Sequence, residues 1–194
     1  MDDINRSVME VERITGATRC WVETVVIGLN LCPFAKREMV NNSVRFSVTT
    51  ADSEQQLLVD LQDEMELLCG DDAVETTLLI HPQVLQNFSD YNEFLSVAED
   101  LLRKLDLEGI LQVASFHPSY QFSGTEPGDA QNYTNRSPYP MLHLLREESL
   151  EQAIANHPDS RLIPKRNVAH VRNLGGARMR SLLQACFQHE DVRT

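Results

Sequence analysis

Lysine and arginine are missing from residues 46–102, a segment that holds thirteen carboxylates. A surface made from it repels phosphate backbones, so nucleic acid is not an expected partner. The carboxylates read as the solvated faces of two helices, with docking of a basic protein as the alternative. Long hydrophobic runs are also absent. Nothing approaches the roughly 18 apolar residues a membrane helix needs, so no membrane partner is expected. The opening Met-Asp-Asp-Ile-Asn has neither the basic nor the apolar region of a secretory leader. Cysteine is sparse: Cys20, Cys32, Cys69 and Cys186 make no CxxC pair and no zinc-finger spacing. Together these absences point to a soluble protein with reduced thiols in a cytoplasm. There is no Gly-x-Ser-x-Gly elbow, Walker loop, Gly-x-Gly-x-x-Gly, kinase set or His-Glu-x-x-His, which sets those enzyme classes aside.

What is present suits one domain over residues 1–194. That length buries a core without disulfide or metal staples. The net charge is −12, yet Arg161, Lys165, Arg166, Arg172, Arg178 and Arg180 make the C-terminal part locally basic. This part could face the acidic half of its own fold or a small anion.

Ile4, Val8, Val11, Ile14, Thr18, Trp21, Val25 and Leu29 recur at helical spacing and predict one long first helix. Gly28 and Asn30 suit its end, and Pro33 either simply prevents its continuation or opens a short helix over 33–40. Residues 44–49 alternate with period two and predict a strand. Asp52 or Ser53 caps a helix with Leu57, Leu61, Met65 and Leu68 on its inner face. Residues 76–80 read as a buried strand, 88–105 as a helix, and 110–116 as another strand. Residues 141–146 give a fourth strand. Ser149 caps a helix to 156, Pro164 starts one to 174, and 177–187 form the last. The β-α-β-α-β order predicts an α/β fold with a central, mostly parallel sheet of about four strands, α+β being the alternative.

The 24 residues 117–140 show no periodicity. A loop this long is expected to be ordered and functional. Leu-Leu-Ile-His-Pro at 78–82 and Ala-Ser-Phe-His-Pro at 114–118 echo one another. In a parallel sheet they place His81 and His117 at the carboxyl edge, where open α/β sheets bind ligands. The two imidazoles suit metal ligation or acid–base work. Alternatively, His-Pro only ends a strand and the ring caps local carbonyls. The loop adds Asp129, Asn132, Asn135, Arg136 and Ser137, followed by His143 and Arg146. A guanidinium among amides and hydroxyls fits a carboxylate or phosphate. The plainer reading is a loop stitched by its own hydrogen bonds. Along a strand, Met141, His143 and Leu145 share a face and Arg146 points away, whereas on a helix His143 and Arg146 would share one, and the sequence alone does not decide between them. His143 then reads as a catalytic candidate or as a hydrogen-bonded core residue.

If Pro33 opens a helix, Cys32 is its N-cap, and the helix dipole with Lys36 and Arg37 favours a thiolate. Cys32 is thus a candidate nucleophile or soft metal ligand, or else a small buried residue. Cys20, Cys69 and Cys186 read as packing. Gly175-Gly176 reads as a helix stop rather than an anion cradle.

The strings Leu31-Cys32-Pro33-Phe34-Ala35, Phe116-His117-Pro118, Asn132-Tyr133-Thr134-Asn135-Arg136-Ser137-Pro138-Tyr139-Pro140 and His143-Leu144-Leu145-Arg146-Glu147 resemble those of the family catalogued as domain of unknown function 1415. The resemblance runs from the first helix to the region of Gly175. It implies no reaction or cofactor. It does imply that Cys32, His117, Asn132, Asn135, Arg136, His143 and Arg146 belong to family motifs, and it leaves His81 outside them.

The resulting expectation is an enzyme acting on a small anionic metabolite. Cys32, His117, Asp129 and His143 are its catalytic candidates. Asn132, Asn135, Arg136, Ser137 and Arg146 are its substrate-binding candidates. A divalent transition metal on Cys32, His81, His117 and Asp129 is the candidate cofactor. The alternatives are a non-catalytic metal- or small-molecule-binding protein and a protein-interaction module.

Overall fold

Residues 2–156 and 159–188 are described by the computed structural model of the chain. The apolar stripe of the first segment makes α1, Asp2–Trp21, but burial begins only at Ile14. Val8 and Val11 are exposed, and the side chain of Ile4 lies outside the described residues. The helix does not run uninterrupted to Leu29. It widens into a π-helical turn, Val22–Ile27, in which Gly28 N–H donates to the Glu23 carbonyl at 3.0 Å. A Cβ at Gly28 would lie 2.3 Å from the Thr24 carbonyl oxygen, so the turn requires glycine there.

A short helix α2, Ala35–Val40, follows. Strand β1, Val44–Val48, ends one residue before the expected 49, and its side chains alternate in direction, Val44, Phe46 and Val48 toward one core and Arg45 and Ser47 toward Glu64. Ser53 caps α3, Glu54–Gly70, by accepting a hydrogen bond from Gln56 N–H at 3.4 Å. Strand β2, Thr76–Ile80, is buried throughout. Asn87 caps α4, Phe88–Lys104, through Ser89 N–H at 2.8 Å. Strands β3, Leu111–Phe116, and β4, Met141–Arg146, come next. Helix α5, Glu147–Ala155, starts directly from β4, so Ser149 lies inside it rather than capping it. Helices α6, Ile163–Leu174, and α7, Gly176–Ala185, meet at Gly175, whose φ of 81° is the left-handed value that glycine tolerates.

The four strands are ordered β1-β2-β4-β3. β1 and β2 are parallel, whereas β4 is antiparallel to both β2 and β3. The expectation of a mostly parallel sheet is therefore corrected to a mixed one. Helices α3 and α4 do act as crossovers, so β1, β2 and β3 point the same way. The segment after β3 then returns to the edge it left, and Met141 of β4 pairs with both Phe116 and Ile80. Chain direction leaves no mark on a short apolar strand buried on both faces, so periodicity could not reveal the insertion.

Side-chain alternation splits the interior into two cores. Leu79, Leu111, Leu142 and Leu144 face α3 and α4, where Leu57, Leu61, Met65 and Phe94 complete one core. Leu78, Ile80 and Met141 face α1, α6 and α7, meeting Trp21, Val171 and Met179. Each fully buried Leu, Phe or Met contributes about 1.5–3 kcal/mol. On the α3 side, Arg45 grips Glu64 with two bonds of 2.7 and 2.9 Å, and Ser47 donates a third at 2.8 Å. Burial pushes the Glu64 pKa up, but those donors outweigh it and hold the carboxyl below its usual range. The basic residues of α6 and α7 lie across the sheet from α3 and α4. Among the described residues no ion pair joins them to those acidic helices.

Candidate functional site

The two His-Pro strand ends do share one edge of the sheet. His81 N–H donates to the Pro140 carbonyl at 3.0 Å, and His117 N–H to that of Asn135 at 3.2 Å. Both rings pack on Tyr91, with centroids 5.8 and 5.0 Å away. The Tyr91 hydroxyl donates to the Met141 carbonyl at 2.8 Å and accepts from Phe116 N–H at 3.0 Å. It thus ties the ends of β3 and β4 together, and burial drives its pKa well up.

The histidines are committed to the backbone. His117 Nδ1 accepts from Ser119 N–H at 3.0 Å, so the proton sits on Nε2, which donates to the Leu85 carbonyl at 3.2 Å. With both nitrogens occupied and only 1% of the residue exposed, no lone pair is left for a metal or a substrate. Burial lowers its pKa. His81 Nδ1 pairs with the Val84 carbonyl at 3.0 Å, and its Nε2 is buried without a partner. Burial, with the neighbouring His117 adding to it, lowers the His81 pKa to about 4. The two rings together hold carbonyls of the β2–α4 loop, where Leu85 adopts a φ of 55°.

The loop 117–140 is stitched by its own groups. Asn132, fully buried, accepts from Phe122 N–H at 3.1 Å and the Thr125 hydroxyl at 2.8 Å, and donates to the Glu126 carbonyl at 2.8 Å. Asp129 accepts from Glu126 N–H at 3.0 Å, and Asn135 donates to the Ser115 carbonyl at 3.2 Å. Ser137 donates to the Tyr139 carbonyl at 2.6 Å. Arg136 lies over the Tyr133 ring at 4.6 Å and donates to the carbonyls of Tyr120 and Pro127 at 3.0 and 2.8 Å. Arg146 likewise spends its guanidinium on carbonyls at the end of α3, those of Leu68, Asp71 and Val74 at 2.5, 3.1 and 3.3 Å.

On the opposite face of the sheet lies a cavity of about 270 Å3, bounded by the π-helical turn, α2, α5 and strands β2, β3 and β4. Trp21, Phe34, Met39, Leu78, Phe116 and Leu145 give it apolar walls. Cys32 and His143 line it too, and the residue Arg146 borders it at the end of β4. The widened turn delivers Val22 and Val26 to the same wall. Strand alternation brings His143 here, because its register partners Leu78 and Ala114 also face the cavity.

His143 is held by Thr76. The Thr76 hydroxyl gives its proton to the Leu144 carbonyl at 2.6 Å, so at 2.7 Å it receives Nε2–H from the imidazole. This leaves Nδ1 with an open lone pair and no bond among the described residues. Burial lowers the His143 pKa to about 4, so the ring is a neutral acceptor near pH 7. The Trp21 indole N–H is buried without a partner beside the same cavity. Cys32 is a half-buried free thiol. It is not an N-cap: α2 begins at Ala35 with Phe34 in the cap position, because residues 33–34 form a turn ahead of the helix. Of its cationic neighbours, Arg37 is paired with Glu38 at 2.6 Å.

The expected constellation is thus divided by the sheet. Cys32 and His143 both line the cavity, whereas His81 and His117 are sealed on the other side. Among the described residues no three His, Cys, Asp or Glu side chains are grouped to hold a metal ion. No described helix is long and apolar enough to cross a membrane. Sequence reasoning missed Trp21, Thr76 and Phe116 as cavity residues. The period-two alternation that put His143 opposite Leu78 was the available signal, and strand order was needed to use it.

The model of the family described as "Protein of unknown function (DUF1415)" matches residues 13–181. No curated protein and no solved structure matches the chain.

Proposed function

The chain belongs to the DUF1415 family, and we propose that it binds a small, largely apolar molecule in the cavity between the sheet and α2 and α5. The observation that carries this reading is the cavity, about 270 Å3 walled by apolar side chains, with His143 and Cys32 as its reactive lining. A cavity of about 150 Å3 accepts benzene, so this one has room for roughly ten non-hydrogen atoms. Apolar walls with a few placed polar groups are the usual make-up of a small-molecule site. The neutral His143 would accept a hydrogen bond from the ligand. An anionic ligand has less support, since Arg136 and Arg146 are bonded to backbone carbonyls.

Trp21 is the only tryptophan of the chain, and it lines the cavity. Titration with medium-chain alcohols and substituted benzenes should therefore give a saturable change in its emission. Ala114→Leu, which fills the cavity, should abolish that change in a folded protein. If no probe saturates, or Ala114→Leu binds as the wild type does, the cavity is not the site.

A second reading, catalysis in the same cavity, is favoured by one observation: Cys32 and His143 both line it. Here Cys32 would be the nucleophile and His143 the base. Cys32→Ser would then keep ligand binding and lose any turnover, while equal turnover in both proteins would leave binding alone.

A further inference from the structure

A second cavity, about 350 Å3, lies on the outside of the turn that carries Cys32. Its walls are Leu29, Asn30 and Pro33 on one side and Arg166, Asn167 and His170 of α6 on the other. Cys32 and Phe34 face the first cavity, so residues 31–34 form a partition between the two. The chemistry of the second is different. Among the described residues, Arg166 and His170 are its only titratable lining groups, and no carboxylate lines it. They stand four residues apart on α6 and so project along one side of the helix. Neither has a hydrogen-bond or ion-pair partner among the described residues, although both are exposed.

The groove is built before any ligand arrives. Asn167 Nδ2 donates to the Leu31 carbonyl at 2.6 Å and clamps α6 to the turn. Asn30, at a φ of 53°, is pinned by its own N–H to the Ile27 carbonyl at 2.9 Å. The surroundings are basic in a chain whose net charge is −12. Residues 160–188 contain six lysines and arginines and no aspartate or glutamate. Such a field raises the local concentration of anions, and a guanidinium beside an imidazole and side-chain amides offers directed donors.

We propose that this groove is an oxyanion subsite, taking the phosphate or carboxylate group of a small molecule on Arg166 and His170. It does not depend on the apolar cavity being occupied. The test is a titration of the isotope-labelled protein with inorganic phosphate, with malonate and with sodium chloride, followed by amide and side-chain NMR shifts. Saturable shifts confined to Asn30, Arg166, Asn167 and His170, with millimolar apparent affinity and no response to chloride, are expected. Saturation by phosphate alone or by malonate alone identifies which oxyanion group the groove prefers. Arg166→Gln/His170→Gln should weaken binding at least tenfold. Lys165→Gln, which removes one charge on the same helix outside the groove, should change it less than twofold. Shifts spread over all the basic residues, or an equal loss in Lys165→Gln, would reduce the effect to general charge and overturn the subsite. Trp21 emission reports the first cavity separately, so failure of either site is read without the other.

Discussion

His117 and His143 are carried by neighbouring strands on opposite faces of one sheet, and the protein treats them in opposite ways. His117 has both ring nitrogens bonded to backbone. His143 has one nitrogen held by Thr76 and the other open, and it lines a cavity. The same contrast runs through the two halves of the molecule. On the α3–α4 face, Tyr91, Glu64, Arg146 and the strand-end histidines all serve to fix chain segments. On the α1–α2–α5 face, packing is incomplete, and a thiol, an imidazole and an indole N–H remain available. Reactive residue types therefore mark chemistry only where their lone pairs and protons are not already used.

The contrast can be tested first by acid. Unfolded histidine takes up a proton near pH 6.5, whereas folded His81 and His143 do so only at about 4. Their stabilisation is complete above pH 6.5 and is lost as pH falls toward 4, at up to about 1.4 kcal/mol per pH unit for each. Below pH 4 neither adds further loss. Urea unfolding across this window should show that slope, and His143→Asn should remove only the pocket-side share. A ΔG flat between pH 7 and 4 would mean that the rings are not buried as described.

Truncation of matched leucines comes next. Leu79→Ala on the filled face should cost about 3 kcal/mol, as a cavity opens in a closed core. Leu145→Ala already borders empty space and should cost about 1 kcal/mol. Equal losses in urea midpoints would erase the difference in packing between the faces.

Smaller is the effect of the histidines themselves. His117→Ala leaves Ser119 N–H and the Leu85 carbonyl without their partner and should cost about 2 kcal/mol. His143→Ala leaves the bond from Thr76 to Leu144 in place and should cost less than about 1 kcal/mol, while weakening binding in the cavity. The reverse order in unfolding experiments would exchange the roles of the two residues.

The mildest test concerns the thiols. Cys69 is exposed and Cys32 half-buried, whereas Cys20 and Cys186 are buried. Burial pushes the Cys186 thiol up to about 12. A thiol reagent should label Cys69 and Cys32 in the native protein and the other two only on unfolding. A ligand in the cavity should slow Cys32 alone.

Several elements were legible because their signal is local. Period-two alternation located β1, a short apolar run located β4, Ser53 marked the start of α3, and Gly175 marked the break before α7. The His-Pro echo placed two imidazoles at one sheet edge, since both strands run the same way. Other expectations failed where the deciding interaction is distant. The π-helical turn depends on the approach of Gly28 to Thr24, which a helical stripe does not encode. The N-cap role of Cys32 gave way to a turn at 33–34. The loop polar groups read either as a ligand site or as a self-stitched loop, and their partners are backbone N–H groups, carbonyls and a hydroxyl of the same loop and the end of β3.

By itself the sequence determined the approximate position of most helices and strands and the buried faces of α3 and α4, because propensity, capping and periodicity act over a few residues. Whether His143 and Arg146 share a face, as on a helix, or point to opposite sides, as on a strand, it left open, and the pairing of β4 with β2 and β3 settled it. Only the tertiary structure decided that β4 enters between β2 and β3. That insertion seals His117 on one face and places His143 in the lining of the cavity on the other. Strand order is set by which apolar faces can be buried together, and that is a property of the whole chain.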